Sequence, residues 1–343
     1  MSVPRLDATA TWSVQEDFRE GLLLTGPAAR WAYQSAGPHV ADDGRVSTGP
    51  DGLHVAASGV HPATGQPQFV RSVAPADRDQ GGLPGTLDHV KWLVQASHVA
   101  SSGHRGLDVP DGHRLTVSMT ASARTSGTDA HPFGAHVQDP HTDLRLAAAA
   151  VTCYDPETSL VFSFFLTDRQ LYAFYERLPF ARTASRPYAS FSYAVPVAAR
   201  EPADWHDLAV TYDRVTGGVS WLVDGSEVLG TDRPGDHLPD RRHLVLDHGG
   251  VPETVRPQQI NYGIGLFTLL DAVHPVTGGP GLVRLNTADG FYVDPVRGTG
   301  HAPPFVDEQS RDGSRLFGQG AELRVRRVVV QGGPAAGSRP LRP

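Results

Sequence analysis

The stretch Trp205-His206-Asp207-Leu208-Ala209-Val210-Thr211-Tyr212-Asp213, continued after Thr216-Gly217-Gly218 by Val219-Ser220-Trp221-Leu222-Val223-Asp224-Gly225, decides the fold class. Apolar residues recur at every second position, Leu208, Val210 and Tyr212 in the first run and Val219, Trp221 and Val223 in the second. That period belongs to a strand with one buried face, because successive side chains of an extended chain point to opposite sides. The Gly-Gly turn between the runs predicts an antiparallel pair, and Asp224-Gly225 predicts a second reversal.

Outward from this pair, strands are expected at 53–58, 69–73, 90–95, 114–121, 144–152, 160–167, 171–176 and 190–195, then at 227–230, 243–246, 264–270 and 282–286. Gly, Pro and Asp fill the gaps, the spacing of a sandwich or barrel. No long helical period is present, and a short helix is expected only within 305–317. The run Ala321-Glu322-Leu323-Arg324-Val325-Arg326-Arg327-Val328-Val329-Val330 reads as a final strand. With 343 residues, 39% of them hydrophobic, the chain can bury one large core. A single all-β domain is expected over 16–331, with a flexible segment at 1–15 and a disordered tail at 332–343.

A net charge of −7 and scattered arginines argue against a nucleic-acid surface, which needs clustered cations to neutralise phosphates. Lys91 is the single lysine. Cys153 stands alone, which removes intramolecular disulfides and cysteine-based metal sites. No apolar run is long enough to span a membrane, and no secretory leader is evident, so a cytoplasmic location without membrane partners is the expectation.

The W-H-x…T-Y-D…V-D-G pattern of the opening pair resembles the paired strands of concanavalin A-like jelly rolls, including laminin-G-type modules and laminarinase-like glycoside hydrolases. Glu16-Asp17-Phe18-Arg19-Glu20-Gly21, followed by Trp31-Ala32-Tyr33, is similar to the opening of jelly-roll glycanases. The resemblance covers 16–331 and implies a concanavalin A-like jelly-roll β-sandwich whose first and last strands are neighbours. Leu83 to Trp92, Tyr172 to Phe180 and Asp247-His248-Gly249-Gly250 are also similar to an actinobacterial family of unknown function, which implies no activity. The E-x-D-x-x-E carboxylates of laminarinase-like hydrolases are missing, and segment 160–167, in their place, is apolar. Retaining hydrolysis needs two carboxylates about 5 Å apart, so that route is not expected.

Three short constellations could carry chemistry. In Tyr172-Ala173-Phe174-Tyr175-Glu176-Arg177 the strand period puts Tyr172, Phe174 and Glu176 on one face and Tyr175 and Arg177 on the other. The segment reads either as an aromatic ligand site ending in an acid/base carboxyl or as a core face capped by a Glu-Arg pair. In Asp88-His89-Val90-Lys91-Trp92, His89 and Lys91 share one side, as a base beside a cation or as a charged strand edge, with Trp92 opposite. Asp247-His248 precedes Gly249-Gly250 at a strand end, either a carboxylate orienting an imidazole or a simple turn. His131, His136 and His141 lie among prolines and match no zinc spacing, while Asp17 or Asp294 are the carboxylates considered for a structural calcium.

Taken together, these features favour a cofactor-free lyase, isomerase or cyclase that binds a ring-containing small molecule or glycan on one sheet, with Glu176 and His248 in a shared cleft. The catalytic candidates are Glu176, His248, Asp247, Lys91 and His89; the substrate-binding candidates are Tyr172, Phe174, Tyr175, Arg177 and Trp92. A carbohydrate-binding module, an atypical glycoside hydrolase and a non-catalytic laminin-G-like interaction domain remain alternatives.

Overall fold

The computed structural model describes residues 11–36, 39–58, 90–286, 288–311 and 320–335. In chain order the strands are β1 (Trp12–Glu16), β2 (Trp31–Tyr33), β3 (Ser35–Ala36), β4 (His39–Val40), β5 (Gly44–Gly49), β6 (Gly52–Ala57), β7 (Val90–Ala96), β8 (Leu107–Asp108), β9 (His113–Ser126) and β10 (Ala148–Asp155). They continue with β11 (Leu160–Leu166), β12 (Gln170–Arg177), β13 (Phe191–Ala199), β14 (His206–Asp213), β15 (Val219–Val223), β16 (Ser226–Thr231), β17 (Leu244–Asp247), β18 (Gln259–Phe267), β19 (Gly281–Val283), β20 (Phe305–Asp307) and β21 (Gly320–Pro334).

Two antiparallel sheets pack face to face as a concanavalin A-like jelly roll. The first is eight-stranded, in the order β16-β15-β14-β9-β21-β6-β5 with β1 on β21. The second is nine-stranded, in the order β17-β13-β12-β11-β10-β18-β7-β2 with β8 on β18. The opening stretch of sequence forms β14 and β15, paired from Leu208 with Val223 to Tyr212 with Val219. Its alternation is used as read: Leu208, Val210, Tyr212, Val219, Trp221 and Val223 are buried between the sheets. Trp221 also crosses the core to donate its indole N–H to the Ser163 carbonyl at 3.1 Å, and its ring meets Phe162 edge-on at 5.7 Å. That hydrogen bond satisfies the indole donor of Trp221 inside the sandwich.

First and last strands are neighbours, β1 pairing with β21 from Trp12–Gly332 to Glu16–Val328. Strand pairing therefore runs past the expected limits of 16 and 331 at both ends. The Glu16 side chain fixes the entry, accepting hydrogen bonds from the Phe18 amide (2.9 Å) and the Trp31 indole (3.3 Å) and pairing with Arg30 at 3.0 Å.

Other expectations move. Segment 144–147 precedes β10 as a turn, held by a fully buried Arg145–Asp143 ion pair at 2.6 Å. Within 305–317, the place of the expected short helix, Phe305–Asp307 is a strand paired in parallel with β19, and 312–317 lies outside the described residues. Segment 69–73 lies outside the described residues. Among the described residues helix is confined to two 3-10 turns, Thr128–Ala130 and Gly134–His136, and none is long and apolar enough to cross a membrane.

Candidate functional site

The two faces of the nine-stranded sheet differ in kind. On the inner face, Phe162 and Phe164 of β11, Tyr175 of β12, Ile264 and Leu266 of β18 and Trp92 of β7 join the inter-sheet core. The residues between them point outward and line a cleft of about 390 Å³.

Strand register sets out this outer face as rows. One row runs Gln95, Gly263, Thr152, Ser163, Phe174 across β7, β18, β10, β11 and β12. The next runs Asn261, Tyr154, Val161, Glu176, Ser192 across β18, β10, β11, β12 and β13. Phe165 forms one wall, with ring centroids 4.5 Å from Phe174 and 5.2 Å from Phe267. Two glycines keep the floor low at β18. A Cβ on Gly263 would lie 2.6 Å from the Val94 carbonyl oxygen and 2.9 Å from the Thr152 hydroxyl, and one on Gly265 would strike the Phe267 ring at 2.4 Å. Phe267 folds into the space that the missing side chain leaves.

Glu176 is the only Asp or Glu among the described residues lining the cleft. Its Oε1 accepts the Ser192 hydroxyl at 2.6 Å. Burial against hydrocarbon walls, opposed by that hydrogen bond and reinforced by the charge of Asp271, raises its pKa to about 7. Asp271 is itself buried, accepts the Tyr292 hydroxyl at 2.8 Å and has its pKa raised to about 6, chiefly by desolvation. Tyr292, Phe305, Leu269 and Val273 belong to a second apolar cluster that covers the β12 side of the outer face. The excursion after β18 thus roofs one part of this face and leaves the part over β7, β18, β10, β11 and the Phe174–Glu176 end of β12 as the cleft. Two hydroxyls on its floor, those of Thr152 and Ser163, are buried without a hydrogen-bond partner.

The sequence candidates divide accordingly. Glu176 and Phe174 line the cleft. Tyr172 shares their face but is buried beneath the segment before β10, its hydroxyl donating to the Thr142 carbonyl at 2.8 Å. Tyr175 and Arg177 point between the sheets and are corrected from ligand contacts to structural residues. The Tyr175 hydroxyl donates to the Asp236 carbonyl (2.9 Å) and accepts the Gly235 amide (2.6 Å). Arg177 is fully buried, bonds the Glu253 carboxylate at 2.6 Å and lies 4.0 Å over the Tyr188 ring. Trp92 is likewise a core residue, stacked edge-on against Tyr33 at 6.2 Å. Lys91 is buried at the bulge where β7 steps against Leu266 and Phe267, while Val90, Leu93 and Gln95 line the cleft on that strand. His89 lies outside the described residues.

Asp247 and His248 do not form a dyad. His248 donates its Nδ1 hydrogen to the Phe291 carbonyl at 2.7 Å, and burial pushes its pKa down to about 4. Asp247 instead binds Arg241 at 2.7 Å and the Gly249 amide at 2.7 Å. His248 is absent from the cleft lining; its ring packs on Tyr292 at 6.0 Å, behind Asp271. The expected meeting of Glu176 and His248 in one cleft therefore does not occur. Asp17 and Asp294 each pair with an arginine, Arg19 at 3.4 Å and Arg297 at 2.7 Å. No cluster of three or more His, Cys, Asp or Glu side chains suited to a metal occurs among the described residues.

Comparison with solved structures finds similar chains at low identity. An endo-1,3-β-glucanase from Streptomyces sioyaensis is 11% identical with a TM-score of 0.42, covering 96% of this chain and 99% of that one. β-Agarase A in complex with oligoagarose is 9% identical with a TM-score of 0.40 over 94% and 93%. Alginate lyase A1-II' is 8% identical with a TM-score of 0.38 over 84% of each. In sequence, the uncharacterized protein L829 of Acanthamoeba polyphaga mimivirus is 31% identical over 273 residues, a match that takes in 61% of this chain and spans 57% of the viral protein's length. A family model matches residues 15–334, and the chain accordingly belongs to DUF6081, a family of unknown function.

Proposed function

We propose that the outer-face cleft binds a ring-containing small molecule and acts on it by proton transfer through Glu176, as a lyase, isomerase or cyclase without a cofactor. The observation that carries this reading is one carboxyl on the wall of a largely apolar cleft, with its pKa raised to about 7. A general acid or base works best when its pKa lies near the working pH. The volume of about 390 Å³ suits a small ligand, and Phe165, Phe174 and Phe267 supply ring faces for stacking.

The test is a carbon-13 titration of Glu-labelled protein. A carboxyl resonance with a midpoint near 7, missing from Glu176→Gln, is expected. A Glu176 midpoint in the ordinary range, about 4.3, would remove the acid/base role.

A glycan ligand is the second reading. It is favoured by the polar groups on the lining, Gln34, Gln95 and Tyr154, whose amides and phenol could meet sugar hydroxyls while the rings stack on sugar faces. Ligand-detected NMR with laminarin oligosaccharides and with 2-tetralone separates the two, since saturable binding of the sugar alone would transfer the cleft to the glycan reading.

A further inference from the structure

The hydroxyls of Thr152 and Ser163 are unusual groups for the floor of an apolar cleft. Ser163 is fully buried and Thr152 nearly so, and neither side-chain oxygen has a hydrogen-bond partner among the described residues. Buried polar groups are mostly satisfied, and of the buried side-chain atoms without a partner among the described residues these two are the ones that line the cleft, as neighbours. The residues face each other across β10 and β11, and Cβ atoms in such positions lie about 4.5–5.5 Å apart. Neither hydroxyl is reachable by a water-sized atom with the side chains as they stand; turned about χ1 toward the cleft, the two could donate to one acceptor atom. Gly263, beside Thr152 in the same row, holds the space over the threonine hydroxyl, since a Cβ there would crowd it at 2.9 Å. Glu176 stands opposite Val161, two residues along β11 from Ser163, on the diagonal that a long side chain spans.

Resting on the proposed reading of this cleft, we infer that Thr152 and Ser163 form a two-hydroxyl cradle for a carbonyl oxygen, and that the substrate is a ring-containing carbonyl compound with a hydrogen on the carbon next to the carbonyl. In the step this arrangement supports, the Glu176 carboxylate takes that hydrogen as a proton. The C–H electron pair becomes the new C=C bond, and the carbonyl π pair moves onto the oxygen. The enolate oxygen is stabilised by the two O–H donors, and the Glu176 proton is returned to carbon at the same or a conjugated position, so no external oxidant or reductant is consumed. Ser192, which holds Oε1 of Glu176, positions the carboxyl over this site.

The experiment uses the full chain and 2-tetralone, a ring ketone with exchangeable hydrogens beside its carbonyl. Binding is followed by ligand-detected NMR, and exchange of those hydrogens by proton NMR in D2O. The wild type is expected to bind 2-tetralone saturably and accelerate exchange, with Glu176→Gln abolishing the acceleration. Thr152→Val with Ser163→Ala is expected to slow exchange by about 100-fold, the effect of removing oxyanion donors, with an unchanged thermal midpoint. Undiminished exchange in that double variant overturns the cradle and leaves the cleft reading standing. Binding by the wild type without exchange also overturns the cradle. A double variant that loses exchange together with thermal stability assigns the hydroxyls a structural role and overturns it as well. Absence of any 2-tetralone binding overturns the ring-pocket reading itself.

Discussion

The inner and outer faces of the nine-stranded sheet are built from the same strands, alternate residues of one chain segment, yet they obey different rules. Inside, most polar groups are paired: the Tyr175 hydroxyl finds both Asp236 and Gly235, the Arg177 guanidinium finds Glu253, and the Ser163 carbonyl takes the indole of Trp221 from the facing sheet, while the Trp92 indole nitrogen has no partner among the described residues. Outside, a carboxyl sits against hydrocarbon and two floor hydroxyls lack partners. A face that serves stability satisfies most of its polar atoms. One that leaves them unsatisfied loses stability and holds groups ready for something else.

Breaking the inner face should have the largest effect. Trp221→Ala removes a fully buried ring and its cross-sheet hydrogen bond and is expected to lower stability by about 3–5 kcal/mol in urea denaturation. A loss under 1 kcal/mol would mean that the two sheets are not held together there.

The outer face should respond in the opposite sense. Because the folded pKa of Glu176 is raised from 4.5 to about 7, the native state holds that proton more tightly than the unfolded chain does. Its contribution is fully present below pH 4.5 and is lost as pH rises towards 7. Glu176→Gln should match the wild type near pH 4 and exceed it by about 3 kcal/mol above pH 7.5, following the linkage of pKa to stability. A stability difference that does not vary with pH would contradict this.

His248 gives a limb of opposite sign. With its folded pKa lowered from 6.5 to about 4, the unfolded chain binds the proton first, so stability contributed by the neutral ring is lost as pH falls through that window. His248→Gln should flatten the acid limb by roughly 2–3 kcal/mol while weakening the protein at neutral pH through the lost packing on Tyr292. An unaltered acid limb would show that the ring is protonated or exposed in the native state. The smallest effect belongs to Thr152→Val, which removes an unpartnered hydroxyl and keeps the shape of the side chain. It should be neutral or stabilising, within about 0.5 kcal/mol, by thermal or urea unfolding. A cost above 1 kcal/mol would mean that the hydroxyl is satisfied and that this part of the outer face resembles the inner one.

Much of this division is readable from sequence, and some is not. Period two separates Tyr172, Phe174 and Glu176 from Tyr175 and Arg177, and the structure places them on opposite faces. Which face borders the cleft was not readable, because both carry aromatic rings and both end in a charge. In Phe162-Ser163-Phe164 the serine already occupies the outward position, but a lone hydroxyl inside an apolar run looks like a minor interruption of a core strand. Gly263 and Gly265 resemble turn residues, so the start of β18 at Gln259 was missed although Ile260, Tyr262, Ile264 and Leu266 keep strict alternation. Asp271 follows Leu269-Leu270 and gives no local signal at all. Its importance comes from a roof built by residues distant in sequence, Tyr292 and Phe305 among them.

The placement of β21 governs how the molecule can assemble. It lies between β9 and β6 and also carries β1, so among the described residues β16-β15-β14-β9 and the strands of the N-terminal region are joined in one sheet only through residues 320–334. While the chain emerges from a ribosome, β9 waits with an unpaired edge until roughly two hundred further residues have been made. Closure of the first sheet is then a late event of high contact order, and folding is expected to be slow. Deleting Gly320–Pro334 should yield two unjoined half-sheets with exposed edges, a species that aggregates rather than a smaller folded domain.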